Sequence, residues 1–234
     1  MSDRLEGHTF RRFDGELDHL HAEILNMAEL VFEQISKSLE SFQPANQAII
    51  RAIIERESQI DLLEKKIDNS ITEVLAKRGP VARDLRAILG FSKVVTDLER
   101  LGDEATRIAH FSTKIHNSES GRSRENTDML REIDLIGGHA CATLQKAIET
   151  LKTLDLTGAK KLLDQAGLDE EFHASLRRLT SFILEDTLNM KYVINIILVL
   201  KSLERIDAHA HNLAEYVVYM VSGEDVRHTE EDQA

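Results

Sequence analysis

Apolar residues recur along this chain at the spacing of a helix. From Ile49, the positions Ile53, Ile60, Leu63, Ile67, Ile71 and Val74 follow three, four or seven apart and form one stripe. Punctuation divides the pattern into six predicted helices. The first runs from about Phe10 to Ser41 and stops before Pro44, and the second starts near Pro44, a favourable first-turn residue. It ends at Lys77-Arg78-Gly79, where two cations suit the negative helix end and the glycine suits a left-handed cap. Pro80 opens a third helix that reaches about Ile115. His116 to Arg124 is polar and carries Ser and Gly, so it reads as a linker. Three further helices are predicted at about 125–153, 156–186 and 188–222, and the charged stretch 223–234 as a polar tail that frays. The last helix is apolar nearly all round at Tyr192, Val193, Ile194, Ile196, Ile197 and Leu198, which predicts burial on several sides or a subunit contact.

Three helices, a linker and three helices make a repeat of architecture. The residues agree: Leu98-Glu99-Arg100-Leu101 matches Leu203-Glu204-Arg205-Ile206, and Ala105 and Ala109 match Ala210 and Ala214 at the same offset. The expected fold is all-α, with two tandem three-helix-bundle repeats, 10–116 and 124–222, forming an elongated six-helix bundle followed by the 223–234 tail. Helices of about 30 residues are roughly 45 Å long. Composition supports this, since two prolines, no tryptophan and 5% aromatics suit helices better than sheets.

Charge narrows the function. Lys and Arg number 29 against 41 Asp and Glu, a formal net charge of −12. Binding to a nucleic-acid backbone needs a basic face, so this balance argues against it, and it disfavours docking on an anionic membrane. The single cysteine, Cys141, excludes an intrachain disulfide framework and fits a reducing cytoplasm. Met1 to Arg12 is charged throughout and does not read as a signal peptide. The apolar run Tyr192–Leu200 is far short of the roughly 20 residues that span a bilayer. A cytoplasmic protein without membrane insertion is expected.

The distinctive chemistry is a set of acidic pairs four residues apart: Glu57/Asp61, Glu64/Asp68 and Glu99/Asp103. Residues four apart stack on one helix face, and like charges there cost roughly 0.2–0.5 kcal/mol, which a bound cation would relieve. About seven such pairs arise by chance in so acidic a chain, so spacing alone equally describes a solvated surface. Topology singles out two of them. Helices two and three meet at a tight turn and should pack antiparallel, and reflection through Gly79-Pro80 sets Glu57 opposite Gly102 and Asp61 opposite Leu98. Glu57/Asp61 and Glu99/Asp103 then share one level, a donor set for a hard cation such as magnesium, manganese or iron. The opposing expectation is two acidic rails facing water, partly neutralised by Lys65, Lys66 and Arg100.

Other candidates are weaker. Glu16-x-x-His19 and Glu170-x-x-His173 have the spacing of di-iron bundles, with Glu99 and Glu204 as nominal partners. Cys141, among Ala140, Ala142 and Leu144, reads as a small core residue rather than a nucleophile. His209 and His211 are either ligands near Glu204 or solvent-facing histidines. Gly137-Gly138 stand alone in a helical pattern, with no phosphate-binding loop around them and no sign of an organic cofactor.

Ala82-Arg83-Asp84-Leu85-Arg86, followed by Asp97-Leu98-Glu99-Arg100-Leu101-Gly102-Asp103-Glu104-Ala105, strongly resembles the PhoU family. Ser202-Leu203-Glu204-Arg205-Ile206 with Asn212-Leu213-Ala214-Glu215 resembles a second copy of the same motif. The resemblance implies a two-repeat, six-helix protein, usually a homodimer. It implies a cytoplasmic, non-enzymatic negative regulator of the phosphate-starvation response, linking the ATPase subunit of the phosphate-specific transporter to a membrane sensor histidine kinase. It also implies a surface metal, iron in particular, on Glu57, Asp61, Glu99 and Asp103. The second repeat departs from the pattern. Glu204-Arg205-Ile206-Asp207-Ala208 stands where the family usually has Glu-Arg-Ile-Gly-Asp, and Asp169 is kept while Gln165 replaces the acid four before it. Asp169, Glu204 and Asp207, with His209, are therefore expected to make a degenerate site, weak or vacant. A carboxylate metalloenzyme and a metal-stabilised structural bundle are the alternative readings.

Overall fold

The structure is a computed structural model that describes residues 3–42, 47–117, 124–185 and 189–226. Among these residues the chain is helical without a strand: α1 (Asp3–Glu40), α2 (Gln47–Arg78), α3 (Ala82–His116), α4 (Arg124–Thr153), α5 (Leu156–Leu163), α6 (Asp169–Glu185) and α7 (Met190–Ser222). Most of the predicted linker, 118–123, and the last eight residues of the predicted tail, 227–234, lie outside the described residues, as does the stretch around Pro44.

The α2–α3 turn is built as its residues dictate. Gly79 is left-handed at φ +52°, and its N–H donates to Leu75 O at 3.2 Å, closing α2. Val81 is extended, so α3 begins at Ala82 rather than at Pro80.

The fifth predicted helix is two helices, not one. The break at residues 164–168 contains Gly167, an interruption inside an otherwise apolar-periodic run. A buried carboxylate from α7 enters there: Asp207 Oδ2 accepts the Leu168 N–H at 3.0 Å. A Cβ at Gly167 would lie 3.2 Å from that same oxygen. The side chain that enters the break also satisfies a backbone donor at the start of α6.

Each repeat closes on its last helix. In the first, α1, α2 and α3 pack on one another; in the second, α4, α5 and α6 gather round α7. The repeats join mainly along α3 and α7, with α1 against α4, and one continuous core runs through both. The α3–α7 seam is antiparallel, as Gly90 meets Met220, Asp97 meets Asn212 and Glu104 meets Arg205. Burial of α7 on several faces follows: Tyr192, Val193, Ile196, Val199 and Leu200 are buried. Met190, Ile194 and Leu198 form a stripe left partly exposed. Among the described residues no helix is long and apolar enough to cross a membrane.

Candidate functional site

The α2–α3 register brings the first-repeat carboxylates to one level. Gly102 is buried, and a Cβ there would lie 3.3 Å from Gln34 Oε1 and 3.4 Å from Glu57 Oε2, so Glu57 reaches α3 opposite the residue that has no side chain. Glu57 Oε2 accepts from the Thr106 hydroxyl at 2.9 Å and from Gln34 Nε2 at 2.6 Å. Gln34 is fully buried on α1, and its amide also lies 3.2 Å from Ile53 O. A polar residue on the apolar stripe of α1, beside Val31 and Ile35, is the sequence signal for this support. Sequence reasoning passed over Gln34 and Thr106.

The acids act on one another electrostatically. Burial raises Glu57, the Gln34 and Thr106 hydrogen bonds oppose the rise, and Asp103 adds to it. Glu99 is raised by burial first, then by the charges of Asp103, Glu64, Glu57 and Asp61. Glu64 is raised by burial, then by Asp68 and Asp61, with Lys65 working against them. Two of the three cations expected to neutralise this face are drawn elsewhere: Lys66 pairs with Glu23 at 2.5 Å and Arg100 with Asp97 at 3.3 Å. Arg107 lies 4.0 Å from Asp103 but is closer to Glu104, at 2.8 Å. The chemistry of this oxygen donor set suits a hard cation. Among the described residues, however, no three acidic, histidine or cysteine side chains gather as closely as a bound ion requires. Cation uptake would have to draw the carboxylates inward.

This repulsion has a measurable sign. Carboxyls held above their ordinary value of 4.5 stabilise the fold fully below that value, and the stabilisation is lost as pH rises through the folded value. At pH 7, Glu99→Gln is therefore expected to be more stable than wild type by a few tenths of a kcal/mol, the size of like-charge pairs at this spacing. In thermal melts the advantage should shrink as pH falls towards 4.5. A variant no more stable than wild type at pH 7 would show that the acids do not repel one another across the helices.

The second repeat does not rebuild this arrangement. Asp169 is exposed on α6, 3.5 Å from His173, and Gln165 accepts from Lys146 at 2.9 Å. Glu204 pairs with Lys201 at 2.6 Å, and that lysine lies 5.1 Å over the Phe172 ring. Asp207 is buried against the α5–α6 break, with His211 Nδ1 3.5 Å from its Oδ2. The repeat offset makes Asp207 the counterpart of Gly102. Where the first copy leaves room for a facing carboxylate, the second fills the space with its own.

His209 is directed to neither set. Its Nδ1 lies 3.2 Å from Asp97 Oδ1 in the α3–α7 seam. Asp97 is buried and also accepts from Asn212 Nδ2 at 3.1 Å and Tyr216 Oη at 3.0 Å. Burial pushes Asp97 up, but these partners outweigh it and hold the carboxyl below its ordinary value. Glu104, also buried, takes Arg107 at 2.8 Å and Arg205 at 3.1 Å. The di-iron spacings are not assembled: Glu16 is bidentate to Arg78, His19 is exposed beside Glu23, and Glu170 is exposed on α6. Cys141 is partly buried, and burial pushes its thiol up to about 11, so it stays protonated and unreactive near neutrality.

Comparison with known proteins agrees with this anatomy. The PhoU domain model matches twice, at residues 24–112 and 133–217. A phosphate-specific transport system accessory protein PhoU homolog of Pseudomonas aeruginosa is 35% identical over 97% of this chain and 92% of its own length. The phosphate-specific transport system accessory protein PhoU of Escherichia coli is 25% identical over 98% and 93%. Among solved structures, PhoU from Pseudomonas aeruginosa superposes with a TM-score of 0.83 at 32% identity, covering 91% of this chain and all of that one. The phosphate transport system regulatory protein PhoU from Streptococcus pneumoniae shares the fold, with a TM-score of 0.75 at 23% identity over 92% and 99%.

Proposed function

The chain belongs to the PhoU family, and from that premise we propose that it is a negative regulator of the phosphate-starvation response. In this reading it works in the cytoplasm as a homodimer without enzymatic activity. It links the ATPase subunit of the phosphate-specific transporter to a membrane sensor histidine kinase, so that the transporter's conformation decides whether the kinase is restrained. The observation that carries the reading is the family match in both repeats, together with relatives named as accessory proteins of phosphate-specific transport and aligned over almost their whole length. Long exposed helix faces suit docking, and the net charge of −12 favours basic faces on partners and faster association at low salt.

Glu57, Asp61, Glu99 and Asp103 are the residues we propose to hold a cation. When bound, iron, manganese or magnesium would supply the positive charge that the displaced lysine and arginine do not. The dispersed second-repeat set, Asp169, Glu204 and Asp207, is proposed to stay vacant. Iron and manganese analysis of the purified protein should then find about one site per chain, lost in Glu99→Gln/Asp103→Asn. Two equivalent sites per chain would sink this assignment.

The regulatory reading is tested by alkaline phosphatase activity in phosphate-rich cells lacking the protein. The deletion should raise activity severalfold, and wild type should silence it. Complementation with Glu99→Gln/Asp103→Asn then shows whether the carboxylates take part in signalling. Activity that stays low in the deletion would overturn the reading.

A further inference from the structure

Beside the carboxylates, α2 and α3 leave a second feature that regulation through them does not use. A groove of about 300 Å³ runs between the N-terminal half of α2 and the C-terminal half of α3. Ile50, Ile54, Ala109 and Phe111 give it an apolar lining, and Thr106 and Arg107 close the end nearest the acids. Ile54, in the N-terminal half of α2, is 55% exposed. Thr106 joins the two features, since it lines the groove while its hydroxyl donates to Glu57.

The order of chemistry along the helices describes an occupant. Moving from Ile50 and Ile54 along α2, the next turns bring Glu57, Asp61, Glu64 and Asp68, with Glu99 and Asp103 alongside on α3. Ile54 to Asp61 is about 10 Å of helix. A ligand lying along this line meets apolar surface first and next a surplus of negative charge, which Lys65 and Arg107 offset only in part. We propose that the α2–α3 face is a docking groove for an amphipathic helix of a partner protein, whose apolar residues fill the Ile50–Ile54–Phe111 groove and whose following lysines or arginines lie on the Glu57/Asp61/Glu99/Asp103 rail. Helix-in-groove recognition uses anchors at i, i+3, i+4 and i+7, and the charge order fixes the direction of the docked helix. The proposal deepens the regulatory reading by naming the kind of partner surface, and rests on it only in expecting a protein partner.

The test is an anisotropy titration of the full chain with a fluorescein-labelled model helix that has leucines at i, i+3, i+4 and i+7 followed by four lysines. The control peptide carries glutamates in place of the lysines. Saturable binding of the lysine peptide is expected. Ile54→Glu should weaken it tenfold or more, and Glu99→Gln/Asp103→Asn severalfold with a shallower salt dependence. Ile194→Glu, on the separate apolar stripe of α7, should leave it unchanged. Ile54→Ser serves as a milder variant should the glutamate perturb folding, as judged by circular dichroism. The proposal is overturned by equal binding to both Ile54 variants and wild type, by loss only in Ile194→Glu, by equal affinity for the glutamate peptide, or by no saturable binding. Sedimentation that shows a dimer dissociated by Ile54→Glu would also overturn it, assigning the groove to a second copy. None of these outcomes depends on phosphate regulation, which the phosphatase assay reads separately.

Discussion

Replacing Asp97 by alanine is expected to destabilise the protein by roughly 3–5 kcal/mol, the range for removing one partner of a buried charged network. The side chain is buried and meets His209, Asn212 and Tyr216 across the seam and Arg100 on its own helix. Its removal takes this acceptor from the Tyr216 hydroxyl, the Asn212 amide and the His209 ring at once. Asp97→Asn keeps the shape and can still accept from Asn212 and Tyr216, so it should lose less. Urea unfolding of the three proteins checks both values, and a loss under 1 kcal/mol for the alanine variant would show that the seam does not depend on this carboxylate. The pH dependence has a defined sign. The folded carboxyl lies below its ordinary 3.8, so its contribution is full above that value and drains away as pH falls through the folded one. As pH falls below 3.8 and through that folded value, the gap between wild type and Asp97→Ala should therefore narrow. Glu57, Glu64 and Glu99 act oppositely, since their carboxyls are held above the ordinary 4.5.

Gly90→Leu acts on the same seam by a different force. A Cβ at Gly90 would fall 2.3 Å from Met220 Cγ and 2.6 Å from its Sδ. Met220 is itself buried and has little room to yield. Leucine is a good helix former, so any loss is attributable to crowding rather than propensity. A net cost of about 1–3 kcal/mol is expected, as for overpacked cores. Met220→Ala, harmful alone, should recover part of it in the double variant, a coupling read from a thermodynamic cycle. Gly138 is the counter-case. It is an exposed helical glycine with nothing within 4 Å of its missing Cβ, so Gly138→Ala should stabilise by up to about 1 kcal/mol. Equal signs at the two positions would argue against close contact between α3 and α7.

Much of this architecture is legible because helical periodicity and punctuation are local signals. The Ile53–Val74 stripe, the Gly79 cap and the Leu98/Leu203 correspondence all sit within a few residues of what they determine. So does the juxtaposition of Glu57 with Gly102, which needs only one tight turn and two straight helices. The break between α5 and α6 was not legible, because a residue 39 positions away stabilises it: Asp207 reaches Leu168 only once α7 is in place. Neutralisation of the acidic face failed for the same reason. Lys66 and Arg100 are sequence neighbours of the acids, but Glu23 on α1 and the buried Asp97 hold them more closely. The Asp97 cluster joins the two repeats, and its cross-seam partners lie 112 or more residues from it in sequence. Within the DLERLGD segment Asp97 looks like one more surface acid.

The asymmetry of the seam bears on which bundle each repeat can pair with. At the repeat offset, His209, Asn212 and Tyr216 correspond to Glu104, Arg107 and Phe111. If two first repeats docked on each other as α3 docks on α7, Asp97 would meet a carboxylate in place of the imidazole and a phenyl ring in place of the phenol. Two of its three cross-seam donors would be gone, one of them replaced by a repelling charge. The first repeat is thus matched to the second and not to a copy of itself, and its mate lies farther along the same chain.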